Sequence, residues 1–418
     1  MKARILARRF GAIAILAWAP TAALAHQGMQ SVVALAGPHV ATELRWVRGV
    51  KDAQEVRGAV AKVLAANPLT VHDAIEVALL NNPGLQAAYN ELAIDKRPFE
   101  QDLYLTAQFV VRLAAETAKA YFRAVAAGQI ADFVTQARAA ADAEAELARR
   151  MAEIGNWSAL DYMHRQLAYA EVTALSARAE LAASAAREQL ARQMGVASGA
   201  FSLARTLPPV PERPTRADGL DTRTLAERLD LQALRYEVET QRGVLGLSRV
   251  TGIVDLTQAG SLRAPDADEA SLMFKDNTVP VFDWSDSTDP LAEYTYMNAV
   301  HRLADAVVAA RSQMRGAYAA YRTAFDLSHH QRGEILALRK RMGEESLLRN
   351  NGMLNSVFDL LGERREEIAA VIATIEADRD FFLAETALRY TPAVDVAGIV
   401  LPVDQMEAAP HSHGPSGH

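Results

Sequence analysis

The fold is decided by Asn82-Pro83-Gly84-Leu85-Gln86-Ala87, which is echoed by Leu229-Asp230-Leu231-Gln232-Ala233. A second echo lies downstream, where Gly155-Asn156-Trp157-Ser158-Ala159-Leu160-Asp161 matches Gly352-Met353-Leu354-Asn355-Ser356-Val357-Phe358-Asp359. Self-similarity at long range marks a repeat architecture. The openings, Leu85 and Leu231, are 146 residues apart, whereas the glycines Gly155 and Gly352 are 197 apart. One copy is therefore short by about fifty residues, a gap read directly from the two offsets.

The residues around these anchors are permissive for very long helices. No proline occurs between Pro98 and Pro208 or between Pro290 and Pro392, and proline is what breaks helix interiors. Phe133, Ala137, Ala140, Glu144, Leu147, Met151 and Ile154 recur with alternating spacings of four and three. After Gly155 the pattern resumes at Leu160, Met163, Leu167, Ala170, Ala174, Ala177 and Leu181. Leu354, Val357, Leu361, Ile368, Val371, Ile375 and Phe382 carry it in the second copy, with Arg364 and Asp378 as polar interruptions. This is the heptad seam of coiled-coil packing, and alanine allows close helix approach. Gly155 and Gly352 read as tips between antiparallel helices.

The second copy holds something between its helices. Val250 to Leu262 and Thr278 to Trp284 are rich in β-branched and apolar residues, bounded by Gly, Pro, Asp and Asn, and read as a strand pair. The corresponding place in the first copy, Asp95 to Leu105, has room for a connector and no second strand. The expected fold class is mainly α, with two tandem helical-hairpin repeats and one small strand pair. The segments are 1–25, a secretory signal; 26–68, an N-terminal segment; 69–207, the first repeat; 208–222, a proline-rich linker; 223–391, the second repeat; and 392–418, a tail.

The signal reading rests on Lys2, Arg4, Arg8 and Arg9, the apolar run Phe10 to Ala19, and the small-x-small site Ala23-Leu24-Ala25. Cleavage before His26 takes the formal net charge from −7 to −11 by removing four basic residues. An exported acidic chain is a poor nucleic-acid binder. The chain has no cysteine, which excludes disulfides, thiol catalysis and zinc-thiolate sites. No phosphate-binding loop, dinucleotide-binding glycine pattern or His-Glu-x-x-His occurs, so an enzyme is not expected. No later segment has eighteen consecutive apolar residues, so any membrane insertion is left to β-strands.

Taken as a set, Leu69-Thr70-Val71-His72-Asp73-Ala74-Ile75-Glu76-Val77-Ala78-Leu79-Leu80-Asn81-Asn82-Pro83, Leu229 to Ala233, Val279-Pro280-Val281-Phe282-Asp283-Trp284 and Leu348 to Leu361 resemble the TolC-like outer membrane factor family. The tip wording and the histidines are similar to members serving heavy-metal, especially copper, efflux. The resemblance implies a homotrimer in the outer membrane, with strands forming one shared barrel and helices a periplasmic tunnel. It implies docking on a periplasmic adaptor (membrane fusion) protein and an inner-membrane efflux pump, with no cofactor. The sequence departs from the family in lacking the first strand pair. Three copies then supply six strands, below the eight of the smallest single-chain outer-membrane barrels.

The resemblance places cation-binding aspartates at the tunnel mouth, and Asp359 matches that position best, with Asp161 its counterpart in the first copy. Both also fit the capping of a returning helix, since carboxylates satisfy free N–H groups there. Gly155, Trp157, Ser158, Gly352, Leu354 and Ser356 are the expected adaptor-contact tips. His411, His413 and His418 are imidazoles of a kind that suits copper, nickel and zinc, set in a tail that also reads as solvated chain. His329-His330 and the run Glu363-Arg364-Arg365-Glu366-Glu367 read as surface.

Overall fold

The computed structural model describes residues 19–40, 42–65, 67–94, 99–155, 157–217, 219–245, 250–256, 261–263, 278–282, 290–352, 354 and 357–396. The helices are α1 (Ala19–Val40), α2 (Val50–Leu64), α3 (Val71–Asn81), α4 (Pro83–Ile94), α5 (Phe99–Glu153), α6 (Ala159–Met194), α7 (Leu220–Glu227), α8 (Leu229–Leu245), α9 (Pro290–His330), α10 (Leu336–Asn351) and α11 (Val357–Tyr390). The strands are β1 (Val250–Asp255), β2 (Ser261–Arg263) and β3 (Thr278–Phe282). Among the described residues the architecture is mainly α, with two helical hairpins, α5–α6 and α10–α11, and one small sheet.

The repeat is visible in hydrogen bonds. Gln86 Nε2 donates to the Leu80 carbonyl at 3.5 Å, and Gln232 Nε2 to the Ala226 carbonyl at 2.9 Å. Each glutamine reaches six residues back across the break between two short helices, α3–α4 in one copy and α7–α8 in the other. The asparagines of the opening motif do more. Asn82 Oδ1 accepts from Leu85 N at 3.1 Å, capping the start of α4. Asn82 Nδ2 and Asn81 Nδ2 donate to the carbonyls of Gln193, Met194 and Gly195, which α6 leaves free at its C-terminus. Gly195 ends α6 at φ +67°, and a β-carbon there would lie 2.8 Å from the Asn81 carbonyl. Only glycine takes that conformation and that approach without strain. Thr70 and Asp73 close a reciprocal cap at the start of α3.

Among the described residues three apolar clusters form the core. The largest joins α1 to α6 with α9 and α11, and its centre is aromatic. Phe122 stacks on Phe382 with centroids 4.8 Å apart, and Phe381 meets Phe382, Tyr321 and Phe325 at 5.1, 5.6 and 6.0 Å. Offset and edge-on aromatic pairs of this kind add about 0.5–1.5 kcal/mol each beyond area burial. The second cluster packs the sheet on α8 and α9. Tyr296 Oη donates to the Pro280 carbonyl at 2.6 Å and ties β3 to α9.

The sheet order is β2–β1–β3, antiparallel throughout. The expected strand pair is β1 and β3, and the end of its first stretch folds back as the three-residue β2. In the first copy, Phe99 to Leu105 is already the start of α5, a helix of 55 residues, so no strand occurs there among the described residues. Residues 95–98 of that junction lie outside them.

The heptad seam needs a correction. Leu147, Ile154, Leu160, Met163, Leu167 and Leu181 are 55–72% exposed. In the α5–α6 hairpin Val134, Ala145 and Ala148 on one helix and Val172, Ser176 and Ala179 on the other are buried instead, with Ala131 and Val134 packed on Ala179. Alanine supplies a second apolar face on each helix. The smaller face closes the hairpin because it brings the backbones closer, and the larger side chains are turned outward.

Candidate functional site

The first tip is built from backbone requirements. α5 stops at Glu153, Gly155 adopts φ +77°, and its N–H donates to the Ala152 carbonyl at 3.0 Å. Ser158 then caps α6, its Oγ accepting from Asp161 N at 3.1 Å and donating to Asp161 Oδ2 at 2.7 Å. Asp161 therefore has a capping role in the first turn of α6, where a carboxylate also faces the positive end of the helix. Trp157 is half-buried, with the Arg165 guanidinium 5.5 Å from its ring centroid.

The described part of the second tip is Gly352 and Leu354. Gly352 ends α10 with φ −81°, and Leu354 N donates to the Arg349 carbonyl at 2.8 Å. Leu354 is 79% exposed, and Ile154 at the first tip is 69% exposed. Asp359 is the third residue of α11, the same first-turn placement that Asp161 has in α6. Ser356 lies outside the described residues, as do His411, His413 and His418.

Between the hairpins runs a cavity of about 320 Å³, walled by Phe133, Ala140, Val172 and Ile368 and rimmed by Arg364 and Arg365. The Glu363–Glu367 run at this rim is not a merely solvated face. Arg365 Nη1 donates to Glu171 Oε2 on α6 at 3.0 Å and so bridges the two hairpins. Arg339 on α10 pairs with Glu366 at 3.0 Å and approaches Glu363 at 4.0 Å. Such part-exposed pairs contribute little stability individually, under about 1 kcal/mol, but they set how the hairpins lie together. Arg165, one-tenth exposed, donates to Glu144 Oε2 at 2.6 Å and joins α6 to α5.

Two charged groups outside the expected site residues are placed by burial. Asp378, the apparent polar interruption of the α11 seam, is 4% exposed and accepts from Ser328 Oγ at 2.6 Å and from Arg332 Nη2. Glu385 faces a cavity of about 590 Å³ with His72, Arg223, Phe382 and Arg389, and burial raises its pKa while nearby Arg389 opposes the rise. The sequence signal for Asp378 was its fall on an otherwise apolar heptad position. Glu385 gave none.

His329 and His330 diverge: His329 Nε2 lies 2.9 Å from the Pro211 carbonyl, and His330 Nδ1 lies 3.2 Å from Glu334. No group of three or more histidines, aspartates and glutamates is arranged to hold a metal ion among the described residues. No described helix is long and apolar enough to cross a membrane.

No family model matches the chain, and no curated protein matches it. Solved structures do. The Campylobacter jejuni CmeC outer membrane channel is 13% identical, with 94% of each chain covered and a TM-score of 0.55. CusC, described in connection with folding and transmembrane channel formation, is 11% identical over 89% of this chain and 92% of its own, at 0.54. The Vibrio cholerae outer membrane protein VceC is 14% identical over 90% and 96%, at 0.51. The chain thus shares the fold of these proteins along nearly its whole length.

Proposed function

We propose that this chain is the outer-membrane duct of a tripartite efflux system. It works as a homotrimer whose hairpins line a periplasmic tunnel and whose sheet end meets outer-membrane lipid. Its tips bind a periplasmic adaptor protein, and an inner-membrane pump supplies the energy. The duct passes heavy-metal ions or drugs and has no chemistry of its own. Gly155, Trp157, Ser158, Gly352, Leu354 and Ser356 form the adaptor-facing tips in this reading. Asp359 and Asp161 ring the periplasmic aperture, and His411, His413 and His418 offer a weak metal-binding tail.

The observation that supports it most is the outward stripe on α5–α6. Six large apolar residues at heptad spacing stay more than half exposed in a single copy. A stripe with that period fits another helix, and in a fold whose solved examples are outer-membrane proteins the natural partner is a second copy. Conductance is the test. The mature chain in planar bilayers gives discrete steps, and in cells it fractionates with the outer membrane. Recovery only from soluble periplasm overturns the reading.

A second reading has its own support. The described strands are six, three and five residues long, against about 9–11 for a strand that crosses the hydrocarbon. On that reading the chain is a periplasmic helical scaffold derived from such a channel. Intact trimers without conductance would favour it.

A further inference from the structure

α9 and α10 form one run from Pro290 to Asn351, interrupted at Gln331–Ile335. There Leu336 N–H donates to the Gln331 carbonyl, five residues back instead of four. Such a widened turn holds one surplus residue and persists only where its surroundings keep it, which is why these turns concentrate at functional positions.

The two sides of this turn are held very differently. Before it, Met314, Tyr321, Ala324 and Phe325 are buried in the aromatic core. The proline-rich strap also clasps this part of α9. Thr215 N donates to Tyr321 Oη at 2.9 Å, His329 Nε2 contacts the Pro211 carbonyl, and Leu207 N donates to Gln129 Oε1 on α5 at 3.0 Å. Beyond the turn, Ser346 is the buried residue of α10, while Leu338, Met342, Leu347 and Leu348 are exposed. A firmly packed rod thus gives way to a lightly packed arm within five residues.

Two contacts fasten the turn to the facing helix, a long one from Gln331 Nε2 to the Ala370 carbonyl at 3.5 Å and a charged one. Arg332, inside the turn, donates to Asp378 on α11, which also accepts from Ser328 just before the turn. The pair is lopsided: the Asp378 side chain is 4% exposed and the Arg332 side chain 58%. The carboxylate is fixed, whereas the guanidinium has water on one side and a cavity of about 100 Å³ on the other, shared with Pro209, Val210 and His329. Arg332 can leave Asp378 for solvent with Ser328 still bonded to the carboxylate.

We propose that Gln331–Ile335 is the hinge on which the α10–α11 arm moves against α5–α6, and that the Arg332–Asp378 contact is its latch. The purpose of the motion, opening the tip, rests on the duct reading; the hinge itself does not. The bend then falls at residues 331–335, with the turn at Gly352 carried along and the turn at Gly155 staying with α5–α6.

The absence of cysteine makes the full-length chain suited to site-directed spin labelling. One pair carries labels at Ala143→Cys on α5 and Leu347→Cys on α10. A control pair replaces the second site with Ser312→Cys on α9, before the turn. Labelled chains are diluted into unlabelled ones, and distances are read by pulsed electron resonance. Leu347 lies twelve residues past Ile335, about 18 Å along the helix, so a pivot of about 10° moves it by about 3 Å. Asp378→Asn and Arg332→Gln should each broaden the 143–347 distances by that order and leave 143–312 unchanged. Gly333→Ala should narrow the 143–347 distances, because a β-carbon there meets nothing within 4 Å and only stiffens the backbone. Unchanged 143–347 distances in all three variants, or equal broadening of both pairs, overturn the hinge. Loss of conductance with these shifts intact would count against the duct alone.

Discussion

Replacing Leu160, Met163 and Leu167 together by glutamine separates a face built for another copy from one that merely happens to be exposed. The three residues are 55, 56 and 55% exposed in the single chain. Fully burying such a side chain is worth about 1.5–3 kcal/mol, so covering the exposed half contributes about 1 kcal/mol each. One interface then loses about 3 kcal/mol, and a closed ring of three loses about 9 kcal/mol before any new polar burial is counted. Every 1.4 kcal/mol is a tenfold change in association, so the assembly should dissociate at concentrations several orders of magnitude higher. The isolated chain should barely notice. Glutamine is nearly as good a helix former as leucine, and surface replacements stay within about 0.5 kcal/mol each. Sedimentation velocity over a dilution series reads the first effect, and thermal unfolding of the dissociated chain reads the second. A variant that sediments like the parent refutes the reasoning, and so does one whose single chain loses several kcal/mol.

Gly195→Ala forces a β-carbon to 2.8 Å from the Asn81 carbonyl at φ +67°, and should lower unfolding stability by about 1–2 kcal/mol or more in urea titration. Ser158→Ala removes the hydroxyl that caps α6 and holds Asp161, and should cost about 1 kcal/mol while raising proteolytic nicking at the first tip. Glu385 is protonated more readily in the fold than in the unfolded chain because burial disfavours its charge. Its stability contribution is therefore full below the ordinary glutamate pKa and lost as pH rises through the raised one. Glu385→Gln should accordingly stabilise the protein at neutral pH and change little in acid, as measured by melting temperature across pH. A gain that is equal at both ends would show that charge is not the cause.

Much of the scaffold was legible because it rests on local chemistry. The proline-free windows contain α5, α6, α10 and α11, and Gly155 is the positive-φ residue of the first tip. The repeat arithmetic points to the junction after which α5 begins, at Phe99. The charge pattern of Glu363–Glu367 is that of a solvent-facing run, yet Arg365 reaches Glu171, 194 residues away in sequence. Charge alternation shows that a face is polar, and it contains nothing about which hairpin will lie opposite. Asp378 is the same lesson reversed. A lone aspartate on an apolar stripe looked like an interruption, because its partners Ser328 and Arg332 are about fifty residues distant.

The sequence by itself determined the helices, the tips, the duplication and its missing piece. Each follows from backbone preferences and side-chain period, which a short window of residues already contains. Tertiary structure alone decided which of two apolar faces closes the α5–α6 hairpin. Val134, Ala145 and Ala148 won over the larger Leu147 and Ile154 because close backbone approach needs small side chains. It also decided where the second hairpin is fastened. The widened turn at Gln331–Ile335 and its carboxylate on α11 come together only when the two helices are laid side by side.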